Sequence, residues 1–251
     1  MAESCLSSAL QERLAGFAPV APPSRFALGA ARLDGVLGGG LARARLHELW
    51  PADMADRGAA TGFALILALQ AAGEKGMIAW IAQEEPRGGA GIGALYPPGL
   101  AELGADPARF LFVRVPDAKA LLRTAGDVVR SPAISCAVIA PSDKAQGFGL
   151  TVTRRLTLFA ETSGVTALLL HTADPGAPSA AATRWRIAAA PSRLLEAEAP
   201  GHPAFAIDLV RQRAGPPALG WRLEWQRDTD RFAPLPGGVA ADDGGGLLAS
   251  A

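Results

Sequence analysis

Residues 46–82 read LHELWPADMADRGAATGFALILALQAAGEKGMIAWIA, and they carry the strongest indication of the fold class. It contains an apolar run at 46–50, a loop with glycines, a long apolar stretch at 63–72 and a second apolar run at 77–82. Short apolar runs bounded by turn residues are typical of buried strands, and longer apolar stretches are typical of helices. We therefore predict strand, loop, helix and strand in this order, as at the beginning of a parallel α/β sheet.

The loop at 51–62 lies where phosphate-binding α/β proteins place a glycine-rich loop, whose N–H groups cradle phosphate together with the next helix N-terminus. A Walker A loop needs Gly-Lys followed by Ser or Thr, and this loop contains no lysine. Asp53 and Asp56 add negative charge where phosphate would lie. An arginine does not replace lysine combined with oriented amides. The residues that remain at this degenerate position are Arg57, Gly58, Thr61 and Gly62.

Composition indicates a folded chain of one domain, because 251 residues with 49% hydrophobic content can bury a sizeable core. The formal net charge is zero, so nucleic acid would be attracted only by a local patch. Cys5 and Cys136 lie far apart, which favours a reduced chain without disulfide or zinc site. No basic segment precedes the first apolar residues, and the apolar runs are shorter than the roughly 20 residues that span a bilayer. We predict a cytoplasmic protein without metal.

Further strands are predicted at 110–115, 134–140 and 165–170, and helices at 118–129 and 151–163. Asp117 is placed to act as the N-cap of the first of these helices. In the second helix, Arg154 and Arg155 are interpreted as a solvated face. His171, which follows the last strand, is interpreted as a polar strand end because no Ser, Cys or Asp constellation accompanies it.

The end of the strand at 134–140 lacks a second feature of an ATP site. In a phosphoryl-transfer enzyme of this type, an aspartate at this position orients magnesium. The chain here reads Ile139-Ala140-Pro141, and the next acid is Asp143. Two catalytic features are thus absent, which supports a degenerate site more strongly than either absence alone. We expect no enzymatic activity and no cofactor.

The C-terminal part predicts a β-hairpin from the alternating runs 204–213 and 221–226. We divide the chain into an N-terminal helix and linker arm at 1–25, a core with C-terminal hairpin at 26–235, and a disordered tail at 236–251. The tail is rich in Gly, Ala and Asp and has few large side chains to offset its ordering entropy. The arm either packs on its own domain or docks on a neighbour.

The order of these elements resembles the core of RecA-type recombinases from about residue 26 to 172. The residues that carry the resemblance are Leu33-Asp34, then Gly38-Gly39-Gly40-Leu41, and then the strand, loop and helix that begin at Leu46. The later phrases 96–100 and 103–107, which read YPPGL and LGADP, resemble the ImuA proteins of bacterial translesion mutagenesis cassettes, and this likeness extends to about residue 235. The fold implied is a mostly parallel RecA-like sheet flanked by helices, with an appended C-terminal hairpin.

The resemblance also implies a role for one further residue and a set of partner proteins. It places Glu84 near the glutamate that activates water in RecA-like ATPases; the alternative is a solvated strand end. It implies an ImuB-type Y-family-like protein as partner, and through it an error-prone DNA polymerase and the sliding clamp. Self-association or a contact with RecA is a further implication, since the N-terminal arm joins neighbours in RecA-like assemblies. Leu6 and Leu10 would serve such docking.

Arg184, Trp185 and Arg186 are candidate contacts to DNA or a partner. In RecA the loop before the equivalent strand contacts DNA, and Arg beside Trp can pair with phosphate and stack on a base. The alternative is a strand whose tryptophan packs in the core while its arginines face water.

The leading functional hypothesis is a non-catalytic adaptor of the ImuA type in damage-induced, error-prone DNA synthesis. A second hypothesis is a diverged ATPase or recombinase with weak nucleotide and DNA binding. A third is a cell-division inhibitor of the SulA type, which the longer chain and C-terminal hairpin disfavour.

Overall fold

The computed structural model describes residues 23–84, 95–142, 147–199, 201–213, 215 and 219–235. The strands are β1 (Arg25–Phe26), β2 (Leu41–Ala42), β3 (Leu46–Pro51), β4 (Met77–Gln83), β5 (Phe110–Val115), β6 (Ile134–Ala140), β7 (Thr166–Leu170), β8 (Thr183–Ala189), β9 (Ala204–Gln212), β10 (Leu219–Gln226) and β11 (Arg231–Pro234). The helices are α1 (Ala31–Val36), α2 (Arg57–Ala72), α3 (Pro97–Glu102), α4 (Ala118–Val129) and α5 (Leu150–Ser163). The predicted arm residues 1–22, with Leu6 and Leu10, the predicted tail 236–251, and Asp143 lie outside the described residues.

The main sheet has nine strands in the order β11-β10-β9-β8-β3-β7-β6-β4-β5. The six strands from β8 to β5 run parallel to one another, and β9, β10 and β11 continue the sheet in antiparallel pairing. The mostly parallel α/β fold and the C-terminal hairpin are thus confirmed. The structure adds β11, which the sequence did not predict because its four residues include a proline and show little alternation.

Two hydrophobic clusters cover the two faces of this sheet. Helix α2 packs on one face with Phe63, Ile66 and Leu67, while α4 and α5 cover the other face with residues such as Leu121 and Leu156. All six residues of β3 are buried, because this strand lies between β7 and β8 and under helices on both sides. Glu48, the charged residue of this strand, is therefore enclosed on every side.

The triple glycine makes the tight turn that its sequence predicts. Gly38, Gly39 and Gly40 have φ angles of 70°, 103° and 116°. A Cβ on Gly40 would lie 2.2 Å from the carbonyl oxygen of Phe26, so this position requires glycine both for its φ and for its space. The preceding Asp34 holds the same region, since its carboxylate accepts hydrogen bonds from the backbone of Leu28 and Gly29 at 2.8 and 2.9 Å.

None of the helices in the described parts of the chain combines the length and the apolar character needed to cross a bilayer.

Candidate functional site

The loop that takes the phosphate-loop position is shorter than the sequence predicts. Strand β3 extends to Pro51 and α2 begins at Arg57, so Gly58, Thr61 and Gly62 lie in the helix. The predicted loop at 51–62 is wrong in this respect. Alanine is the strongest helix former, and the alanines at 59–60 extend the helix toward its N-terminus despite the neighbouring glycines. The Thr61 hydroxyl donates a hydrogen bond to the Arg57 carbonyl at 2.8 Å.

Two aspartates hold the remaining loop with their carboxylates, Asp53 by accepting from loop amides and Asp56 by accepting from the end of β8. The Asp53 carboxylate accepts hydrogen bonds from the backbone of Ala55 at 2.7 Å and of Asp56 at 3.2 Å. The Asp56 carboxylate accepts from the backbone of Ala189 at 2.8 Å, which ties the loop to the end of β8. Amides that face phosphate in a Walker A loop would have to be free of such partners. The loop is therefore closed by its own carboxylates.

The first turn of α2 reads Arg57-Gly58-Ala59-Ala60, at the point where a Walker A motif has Gly-Lys-Ser/Thr. Neither the ammonium group that holds phosphate nor the hydroxyl that holds magnesium has a counterpart in this turn. The described end of β6 also lacks an acid, since Ala140 is followed by Pro141 and Ser142.

Glu84 follows the last residue of β4. Its side chain is exposed, and its backbone N–H donates to the Val115 carbonyl at 2.8 Å. The role of Glu84 stays a prediction.

A buried polar cluster lies in the middle of the sheet, around the carboxylate of Glu48. The Ser179 hydroxyl donates to Glu48 Oε1 at 2.7 Å, and Arg184 Nε lies 2.8 Å from Oε2. His171 Nε2 is 3.8 Å from Oε1, which is too long for a hydrogen bond. The Arg184 guanidinium also lies 5.1 Å from the centre of the Trp50 ring. The Glu48 cluster, as we call Glu48, Ser179, Arg184 and His171, joins β3, β7 and β8.

The Glu48 carboxylate stays charged in this environment. Burial alone would raise the pKa of Glu48, but the nearby His171, the Ser179 hydroxyl and the Arg184 guanidinium together hold it below its ordinary value. The Arg184–Glu48 contact is an ion pair without good hydrogen-bond alignment, since Arg184 Nε and Nη2 and Glu48 Oε2 all lack a hydrogen-bond partner. The cluster is therefore held by charge more than by directed bonds.

A second buried group lies on the other face of β3. His47 Nε2 contacts the Ala42 carbonyl at 2.8 Å, and its Nδ1 contacts the Thr183 hydroxyl at 2.7 Å. Trp185 Nε1 donates to the same hydroxyl at 2.6 Å. Since the carbonyl requires a proton on Nε2, Thr183 donates to Nδ1 and the imidazole is neutral. Burial lowers the pKa of His47 to about 4.

The three candidate contacts on β8 have separate surroundings. Arg184 pairs with Glu48, Trp185 is 1% exposed in the core, and Arg186 binds the Asp208 carboxylate at 2.7 and 3.0 Å. Trp185 packs in the core as the alternative expected, but Arg184 is only 13% exposed and does not face water as that alternative expected. Contact of Arg184 and Arg186 with DNA or a partner stays a prediction.

Sequence reasoning did not bring the Glu48 cluster together. A signal was present, because Glu48 is the only charged residue in the apolar run 46–50, and a charge in a buried strand needs a partner. The partner could not be named without the register, which places Glu48 opposite Arg184 in β3 and β8 and opposite Leu169 in β7. Within the part of the chain that the structure describes, no three His, Cys, Asp or Glu residues are grouped as metal ligands.

Known proteins resemble this chain in sequence and in fold. No family model matches the sequence. Among solved structures, the crystal structure of the RadB recombinase superposes with a TM-score of 0.53 at 16% identity, and the match covers 80% of this chain and 96% of that one. This likeness concerns the fold alone.

Curated relatives give a closer match. Protein ImuA of Caulobacter vibrioides, strain NA1000 / CB15N, is 30% identical over 220 residues, which cover 82% of this chain and 85% of that protein. Protein ImuA of a second strain, ATCC 19089 / CIP 103742 / CB 15, matches to the same extent. The chain belongs to the ImuA family.

Proposed function

We propose that this protein is a non-catalytic, cytoplasmic RecA-like accessory protein of damage-induced, error-prone DNA synthesis, and that it acts as an adaptor for an ImuB-type partner. The observation that carries the proposal is the closed loop between β3 and α2. There the Asp53 carboxylate takes the amide protons of Ala55 and Asp56, in the position where a working ATPase binds phosphate.

The electrostatics of this loop argue against nucleotide binding. A triphosphate would meet the negative charges of Asp53 and Asp56 before it reached the helix N-terminus, and like charges at close range repel. The first turn of the helix, residues 57–60, contains neither a lysine nor a hydroxyl side chain. The strands and the helix that surround the position are nevertheless fully packed. We infer that this part of the fold supports surfaces for other proteins and does not carry out hydrolysis.

Calorimetric titration with ATP and magnesium tests the non-catalytic part of the proposal. We expect no saturable heat up to millimolar ATP, while a RecA protein in the same buffer serves as the positive control. Saturable micromolar binding that is lost in Glu84→Ala or Arg57→Ala would contradict the proposal and favour the diverged ATPase. Retained binding in both variants would also contradict it and would place the ligand elsewhere.

Co-purification with the ImuB protein of the same organism tests the adaptor part. We expect the two proteins to form a complex, and we expect the complex to retain the error-prone polymerase and the sliding clamp only when ImuB is present. The matched control is the polymerase with this protein alone. Failure to associate under conditions in which both proteins are folded would count against the adaptor role, whatever the outcome with ATP.

A further inference from the structure

A groove with basic rims lies between α4 and α5, on the face of the sheet opposite α2. The two helices pack against each other, and the groove between them encloses about 340 Å³. Its floor is apolar and is formed by half-buried or buried side chains, namely Leu122, Val152, Leu156 and Phe159. We call this the α4–α5 groove.

Cations line the rims of this groove. Lys119 and Arg123 are one helical turn apart on α4, and Arg155 lies on α5 across from them. All three side chains are exposed. Among the described residues none of the three has an ion pair. These charges therefore remain available to a ligand.

The fourth cation in the groove is already neutralised. Arg130 donates to Asp127 at 2.6 Å and to the Gly126 carbonyl at 3.0 Å, and its guanidinium lies 5.0 Å from the centre of the Phe159 ring. Among the described residues that line the groove, Asp127 is also the only acid. The pair Arg130–Asp127 thus leaves the rims with an uncompensated positive charge.

We propose that the α4–α5 groove binds an acidic amphipathic helix of a partner protein. An apolar floor between charged rims fits a helix that lays apolar side chains into the groove and carries Asp or Glu on its flanks. A nucleic acid would use the rim charges but would leave the apolar floor uncovered, so the observations favour a protein segment. Because α4 has 12 residues and therefore a length of about 18 Å, the occupant is a helix of about three turns.

The surface is too small for a permanent complex. Stable interfaces bury about 1,600 Å² in total, and a single short helix covers less than that. Binding at this groove is accordingly weak and salt-sensitive by itself, as expected for one contact among several in an assembly.

Fluorescence anisotropy with the full chain tests the proposal. The probe is a fluorescein-labelled synthetic helix of about four turns with leucines at i, i+3, i+4 and i+7 and glutamates on both flanks. Two comparison peptides carry lysine for every glutamate or serine for every leucine. We expect saturable binding of the first peptide, weakening as salt rises, and no saturable binding of the other two.

Variants of the rim and floor residues test whether the probe peptide binds in the α4–α5 groove. Arg123→Glu combined with Arg155→Glu should lower the affinity for the probe peptide by about tenfold or more, since two attractive charge pairs become repulsive. Val152→Asp should weaken it to a similar degree by placing a charge in the floor. Arg227→Glu, an exposed change in the turn after β10, serves as the matched control and should alter affinity by less than about twofold. Circular dichroism melts verify that each variant is folded. Because Arg123 and Arg155 are exposed, we expect the double variant to fold, and it tests the proposal even if Val152→Asp does not fold.

Three results would overturn the inference. They are unchanged affinity in the arginine double variant, equal binding of the lysine peptide, or displacement of the probe by oligothymidine with the same dependence on Arg123 and Arg155. The last would identify a nucleic-acid site. The experiment uses neither nucleotide nor ImuB, so its failure is separate from a failure of the adaptor proposal.

Discussion

Glu48 is a charged residue that lies almost fully buried in a central strand of the sheet. Its carboxylate is 1% exposed and its cationic partner Arg184 is 13% exposed. Breaking a buried pair by removing one charge is costly, because the other charge remains in a poorly solvated place. Neutralising one member of the pair therefore reveals how strongly the sheet depends on it.

We predict that Glu48→Gln lowers the free energy of unfolding by about 3 kcal/mol, at the lower end of the range for buried pairs because Arg184 is partly solvated. Urea denaturation monitored by circular dichroism measures this change. The control is Asp208→Asn, which breaks the more exposed pair with Arg186 and should cost less than about 1 kcal/mol. Equal losses in the two variants would contradict a special role for the buried pair.

His47 makes stability depend on pH in a defined window. Its pKa is about 4 in the folded protein and near 6.5 when unfolded, so the unfolded chain binds the extra proton first as pH falls. The stabilising contribution of the neutral ring is present above about pH 6.5 and is lost between pH 6.5 and 4; the total is about 3 kcal/mol.

The pH prediction is tested by urea unfolding at several pH values. His47→Gln should flatten the rise of unfolding free energy between pH 4 and 6.5. A slope that survives in His47→Gln would show that other groups titrate in this window.

At the scale of elements, α4 and α2 show when a helix start can be predicted. For α4 the signal is local: Asp117 precedes an amphipathic run, and its carboxylate accepts from the Ala120 N–H at 2.7 Å as an N-cap does. Before and within the first turns of α2 the sequence contains glycines and aspartates, which favoured a loop at 51–62. The helix nevertheless extends to Arg57, since Asp53 and Asp56 hold the shorter turn with their side chains.

We predict that Asp117→Ala destabilises the protein by about 1 kcal/mol through the loss of this cap. Asp117→Asn keeps a side-chain oxygen at the same position and should cost only a few tenths of that amount. Thermal melts of the two variants under identical conditions separate capping from a general effect of charge. If Asn and Ala prove equally destabilising, the cap hydrogen bond is not the cause.

At the scale of the molecule, the antiparallel strands are part of the core and not an appendage. The ring of Phe232 on β11 lies 5.3 Å from Phe63 on α2, 6.0 Å from Phe205 on β9 and 5.1 Å from Trp225 on β10, measured between ring centres. The backbone N–H of Phe232 also donates to the Leu28 carbonyl at 2.8 Å. This aromatic cluster connects the C-terminal strands to the central helix and to the segment after β1.

We predict that Phe232→Ala lowers the free energy of unfolding by about 3 to 5 kcal/mol and that unfolding stays a single transition. Tryptophan fluorescence and far-ultraviolet circular dichroism should shift together in urea. Phe112→Ala on the edge strand β5 is the control, because that side chain is 44% exposed and should cost about 1 kcal/mol or less. Two separated transitions in Phe232→Ala would mean that the C-terminal strands unfold independently.

The parallel strands, the helices α4 and α5, and the absence of a lysine from residues 51–62 could all be recognised in the sequence. Apolar runs, helix caps and the absence of a lysine are local properties of the sequence, and they can be recognised without knowing the tertiary contacts. The contacts of the loop between β3 and α2 and of the buried Glu48 could be found only in the folded chain. Asp53 binds the loop amides, and Glu48 meets Arg184 because β3 pairs with β8, which brings together residues such as His47 and Thr183 that are 136 positions apart. Pairing at such separations depends on the packing of the whole sheet, and no local pattern of residues specifies it.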